Sequence, residues 1–152
     1  MARLTVTVLG DEQVSRNLLR MGELAENMDT PLREVADVVR ERIVANFDAQ
    51  GPGWAPLDED TILTRAALGY GPGPILVRSG RMRASLTGES NEAITEIDGS
   101  SLAIGSSVPY AEFHQTGTAN MPARPQVLPE RVKRDAVKVL QRHLVETGRG
   151  DR

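Results

Sequence analysis

Residues able to do chemistry are few and scattered in this 152-residue chain. A nucleophilic triad would draw on His114, with Glu112 nearby, and on Ser79 or Ser85. No Gly-x-Ser-x-Gly turn presents either serine, however, and the order of the three groups matches no known triad. Asp58-Glu59-Asp60 offers oxygen ligands, yet three acids in the first turn of a helix complement its dipole without any metal. Gly69-Tyr70-Gly71-Pro72-Gly73-Pro74 has the glycines of a phosphate loop but lacks the Gly-Lys-Ser/Thr ending. Its prolines also remove donor N–H groups, so it reads as a flexible loop. With no cysteine the chain has no disulfides, thiol catalysis or sulfur-ligated metal, and its two histidines leave only oxygen donors for a metal. The expectation is a protein with no catalytic residues, no metal and no cofactor.

Charge and aromatic content point toward contacts with partners. The net charge of −3 argues against a free-standing nucleic-acid binder, which needs a basic excess to release counterions from phosphate. The charge is unevenly spread: residues 129–152 carry seven basic and four acidic side chains, a balance of +3 that leaves −6 for residues 1–128. Arg131, Arg134, Lys138 and Arg142 share one face of the last helix, which reads as a solvated face, as a contact for an acidic partner, or as a contact for DNA. Only Lys133 and Lys138 of the 18 basic residues are lysines; the others are arginines, whose planar forks are enriched at interfaces. The aromatics are Phe47, Trp54, Tyr70, Tyr110 and Phe113. A mostly aliphatic core of this kind is thin, which favours assembly with partners.

Two residues stand out as candidate anchors. Trp54, between Gly53 and Pro56, reads as a hydrophobic peg for its loop, and its burial is worth on the order of 3 kcal/mol. Arg124, between Pro122 and Pro125, is presented by a restricted backbone, so its fork suits a carboxylate on a neighbouring subunit or on the chain's own acidic helix. His114 reads as a hydrogen-bonded structural histidine.

The elements that must position these residues follow from periodicity. Leu4, Val6 and Val8 alternate with polar neighbours as in a half-buried strand. Val14, Leu18, Met21, Leu24 or Ala25, and Met28 predict an amphipathic helix over 12–28. Thr30 as N-cap and Pro31 at the first position open a second helix to about Ala49, with Leu32, Val35, Ala36, Val39, Ile43 and Phe47 on one stripe. The loop 50–57 precedes a short helix over 57–68. A further short helix follows Ser79 as its cap, and Ala93 to Asp98 and Ser101 to Ser106 form a hairpin turned by Asp98-Gly99. One helical turn near 110–117 and an extended loop 118–128 lead to the last helix from Pro129, with Val132, Ala136 or Val137, Leu140 and Leu144 inward. The fold expected is α+β: about four helices on a small, mostly antiparallel sheet, in a single domain over 1–146 with a loose tail at 147–152.

With 39% apolar and 26% charged residues, a chain of this length is expected to bury roughly two-thirds of its unfolded surface. No apolar run approaches the roughly 20 residues of a membrane span, and the opening Met1-Ala2-Arg3-Leu4-Thr5 lacks the apolar core of a signal peptide, so a cytosol-like compartment is expected.

Four segments occur in a telling order: Phe47-x-x-Gln50-Gly51-x-x-Trp54-x-x-Leu57, Leu76-x-x-Ser79-Gly80-x-Met82-x-x-Ser85-Leu86, Tyr110-Ala111-x-x-His114-Gln115-x-Gly117, and Pro122-Ala123-Arg124-Pro125. Over about residues 30–145 the chain resembles the virion-morphogenesis, or tail-completion, family of tailed bacteriophages, with looser similarity to phage neck and tail-component proteins. Gln126 departs from the pattern, which has an aromatic there. The resemblance implies a non-catalytic virion protein, assembled in the bacterial host cytoplasm and working as a ring at the head–tail joint. It implies six copies in preference to twelve, contacts with connector and tail-tube proteins, genomic DNA only in transit, and no membrane. Interface candidates are Trp54, Tyr110, His114, Arg124, Arg131, Arg134, Lys138 and Arg142, with the loops 50–57, 69–77 and 118–128. An alternative is a DNA-contacting accessory protein using the basic helix.

Overall fold

The computed structural model describes residues 28–51 and 53–149, together with positions 19, 22 and 23, which are helical. The expected strand at 4–8 and most of the expected helix over 12–28 lie outside the described residues. Helix α1 (Asp29–Asp48) buries Leu32, Val35, Ala36, Val39, Ile43 and Phe47, the whole of its predicted stripe. Its start differs from expectation. Thr30 lies inside the helix, and Met28 at the N-cap gives no side-chain hydrogen bond. Proline needs no N–H partner anywhere in a first turn, so Pro31 marks the turn without fixing the first residue. Asp29 gains from the helix dipole and from an exposed pair to Arg33, one turn on, at 2.7 Å.

Helix α2 (Glu59–Ala67) is capped by Asp58, whose side chain accepts from the Thr61 N–H at 2.6 Å. That bond holds the Asp58 carboxyl below the usual carboxylate range, so these acids serve the helix end. Helix α3 (Arg81–Thr87) starts after Gly80, not Ser79, whose hydroxyl only reaches the Arg81 N–H at 3.4 Å. Strands β1 (Ala93–Asp98) and β2 (Ser101–Ser106) pair antiparallel with Asp98 opposite Ser101. The two turn residues are therefore Gly99 and Ser100, one position later than expected. Helix α4 (Ala111–Thr116) is short, and α5 (Pro129–Arg149) runs into the stretch expected as tail. Among the described residues the fold is five helices and a two-stranded antiparallel sheet, an α+β single-domain arrangement.

Helix α1 is the central beam, packed against α5, α3 and both strands. The core joins Val35, Val39, Ile43 and Phe47 of α1 to Met82 and Leu86 of α3, Val139 of α5, Val108, Ala111 and Trp54. Ser85, fully buried, ties α3 to the hairpin: its hydroxyl bonds the Met82 carbonyl at 2.8 Å and the Ser106 hydroxyl at 2.7 Å. On α5 the inward residues are Val139, with Val132, Ala136 and Leu140 partly buried, whereas Val137 and Leu144 are exposed. The choice left open between Ala136 and Val137 thus falls on Ala136, and among the described residues Val137 and Leu144 stay exposed.

Candidate functional site

Three of the four motif segments meet in one block of interlocked loops. The Trp54 indole is 7% exposed, stands edge-on to Phe47 at 5.6 Å, and donates its N–H to the Pro125 carbonyl at 2.9 Å. The ring lies over Gly51, where a Cβ would come within 2.0 Å of it. The spacing Gln-Gly-x-x-Trp is therefore a packing requirement, since any side chain at Gly51 would occupy the volume of the indole. Gln50 completes the turn, its side-chain oxygen accepting from the Ile75 N–H at 2.7 Å.

Arg124 is 7% exposed and donates to the carbonyls of Ala55 and Pro56, both at 2.9 Å. Within the chain the fork is taken up by two backbone oxygens of the Trp54 loop, which corrects the expectation of a carboxylate on the chain's own acidic helix. Two carbonyls on successive residues match the guanidinium geometry as a carboxylate would, and sequence gives no sign of them. The Arg124 N–H in turn bonds the His114 carbonyl at 2.7 Å. Gln115 accepts from the N–H groups of Gln126 and Val127 and donates to the Val127 carbonyl. Gln126, 1% exposed, donates to the Arg124 carbonyl, and its own carbonyl accepts from the buried Asn46 at 2.8 Å. A polar side chain stands where the resemblance leads one to expect an aromatic, and hydrogen bonds anchor the loop in its place. Gly117 lets this segment approach, since a Cβ there would meet the Ala123 nitrogen at 2.7 Å.

His114 stacks edge-on with Tyr110 at 6.2 Å. Its Nδ1 is buried without a hydrogen-bond partner, which corrects the reading of a hydrogen-bonded histidine. Burial, and then the charge of Arg124, hold its pKa below the usual histidine value, so the ring is neutral near pH 7. Ser79 lines the same cleft as His114, but among the described residues neither serine is hydrogen-bonded to the ring. Ser85 is engaged with Met82 and Ser106, and Ser79 with Arg81.

A second buried arginine escaped the sequence reading. Arg65 of α2, 6% exposed, donates to the carbonyls of Pro74 at 3.2 Å and Val77 at 2.9 Å, pinning the 69–77 loop. On a short helix it reads as a solvated charge, and nothing in its spacing signals burial. An open cleft of about 630 Å³ lies between α2, the 76–82 segment and the 110–124 segment, reached by Arg65, Arg78, Arg124, Tyr110 and His114.

The face of α5 is less uniform than its sequence. Arg142 pairs with Glu34 of α1, which also meets His143 at 2.5 Å, and Lys138 lies 4.0 Å from Asp135. Asp135 in turn pairs with Arg42 at 2.9 Å. Arg131 and Arg134 are exposed and make no ion pair among the described residues. Two of the four cations are thus engaged with acids of the same domain.

The profile of the phage virion morphogenesis family matches residues 9–152. The chain is similar to the Mu-like prophage FluMu G protein 1 of Haemophilus influenzae, with 32% identity over 119 residues that span 74% of this chain and 75% of that protein. No solved structure matches.

Proposed function

This chain belongs to the phage virion morphogenesis family, with a structural or morphogenetic role in the virion, and on that premise we propose that it forms a ring at the head–tail joint. The ring, of six copies in preference to twelve, helps to join tail to head and lets DNA pass, between connector and tail-tube neighbours. The observation that supports this reading is the use made of the motif residues. Trp54, Arg124, Gln115 and Gly117 are occupied in holding irregular loops in fixed shapes, as a part that grips neighbours requires and as a reactive centre does not. A ring of identical subunits uses two different surfaces of each copy, and rigid loops supply such surfaces without an ordering cost on assembly. Unengaged Arg131 and Arg134 on α5 serve the protein-facing side, while the more acidic remainder of the chain suits a channel that DNA must leave quickly.

Imaging of particles made without the protein tests the role: separate heads and tails are expected, and joined particles would overturn it. Mass measurement of the purified protein tests the ring. Steeply salt-dependent binding of duplex DNA would favour the DNA-contacting alternative instead.

A further inference from the structure

We infer that the cleft between α2 and the 110–124 segment is a docking site for an acidic peptide of a partner protein. Two of its residues, Arg65 and Arg124, are buried cations that donate only to neutral carbonyls. Carbonyl bonds take up guanidinium donors but do not neutralise the charge, a costly arrangement in a partly desolvated wall. The Arg65 Nε is also buried without a partner. Asp58 feels the charge of Arg124 and offsets it in part, but it is exposed and turned to the α2 cap. At the rim Arg78 is exposed, lies over the Tyr70 ring at 5.5 Å, and makes no ion pair among the described residues. Arg81, by contrast, is already paired with Glu92. The cleft therefore presents two buried and one exposed cation to whatever enters it.

The rest of the lining selects among anions. Leu57, Leu76, Met82, Met121 and Pro122 give an apolar floor. Tyr110 gives an exposed aromatic edge of the kind that anchors interfaces. A cleft of about 630 Å³ holds a few residues of extended chain. Inorganic phosphate would leave the floor empty. Duplex DNA is too wide to reach the inner wall of a cleft this size, whereas a single extended chain can enter it with its carboxylates on the arginine side, away from Asp58 and Asp60. A segment that interleaves carboxylates with aliphatic side chains satisfies both the cations and the floor. This inference is independent of ring formation, because a monomer would have the same cleft.

The test uses the purified full chain and a fluorescein-labelled nonapeptide of alternating glutamate and leucine, with a glutamine-for-glutamate version as its control. Saturable binding is expected, weakened by salt and about tenfold weaker for the glutamine peptide. Arg78→Glu, which gives up only an exposed contact with the Tyr70 ring, should weaken binding about tenfold or more with little change in the melt, while Arg134→Glu should not alter it. The methyl resonances of Met82 and Met121 should shift with the peptide in the unmodified protein, a readout that needs no variant. Equal affinity for the two peptides, indifference to Arg78→Glu, still methionine signals, or tighter binding of a short DNA duplex or of phosphate at these residues would overturn the inference. Oligomer mass reads the ring separately, so failure of one leaves the other standing.

Discussion

Arg124 and Arg134 are ten residues apart and do opposite work. Arg124 is buried and bonds two carbonyls of a loop almost 70 residues away in sequence, whereas Arg134 is exposed and makes no ion pair among the described residues. Arg65 repeats the first pattern with the 69–77 loop, and Arg131 repeats the second on α5. The arginine-rich composition thus divides into staples and surface charge. Proline-rich loops need staples of this kind because prolines supply carbonyls but no N–H groups, so their backbone cannot satisfy itself by ladders. A guanidinium offers five donors and meets that surplus of acceptors.

The comparison breaks most visibly at the staple side. Trp54→Ala removes the largest side chain of the loop block and its bond to Pro125, and should destabilise by about 4 kcal/mol in a thermal or denaturant melt. An unchanged melt would show that the block is not part of the cooperative core. Arg124→Lys keeps the charge and loses the fork, so one carbonyl of Ala55 or Pro56 is left without its donor. A loss of about 2 kcal/mol is expected in the same assay, where Arg134→Lys should be neutral. Equal effects at the two arginines would erase the distinction.

What the sequence disclosed follows the same division. The stripe of α1 and the hairpin over 93–106 were legible because periodicity is local, and their errors were confined to Thr30 and to a one-residue shift of the turn. The loop block was legible only in part. Trp54 announced itself by size and isolation, but the partners of Arg124, Gln115 and Gln126 are backbone groups brought together from distant segments. No residue type encodes a carbonyl's position, so the sequence suggests a carboxylate for the Arg124 fork where its partners within the chain are two carbonyls. Arg65 was invisible for the same reason. On α5 the basic face was read from spacing correctly, but its partial neutralisation by Glu34 and Asp135 depends on α1 lying alongside.

His114 sharpens the comparison through pH. Burial and the Arg124 charge hold its folded pKa below the unfolded value of about 6.5. The unfolded ring therefore binds a proton first as pH falls, so the stability present above about pH 6.5 is lost from there downward until the folded pKa is passed, and above that range it no longer changes with pH. Asp58 and Glu92, also held low, lose their contributions only in the more acidic carboxylate range. His114→Phe keeps a ring against Tyr110 and removes the titration. The variant's melting temperature should fall less than the parent's between about pH 7 and about pH 5. Parallel pH curves for the two proteins would mean that the ring is not held neutral.

The smallest stability effect is expected where the assembly effect should be clear. Arg131 and Arg134 are exposed and unpaired among the described residues, so reversing both to glutamate removes no internal contact, and the melt should move by no more than about 0.5 kcal/mol. Arg142 is unsuitable for this test, because a glutamate there would face Glu34 in place of its present partner. If this face meets an acidic neighbour at the head–tail joint, each of several identical copies would now repel it. Attachment of heads to tails should drop, while DNA ejection from any particles that do form stays normal. If the face instead lined the channel, the parent ring would hold DNA through a repeated pair of arginines, and the double variant would speed ejection and leave attachment intact. Counting joined particles by electron microscopy and timing DNA release separates the two orientations. Attachment unaffected with altered release would place these arginines in the lumen and revive the DNA-contacting reading of α5.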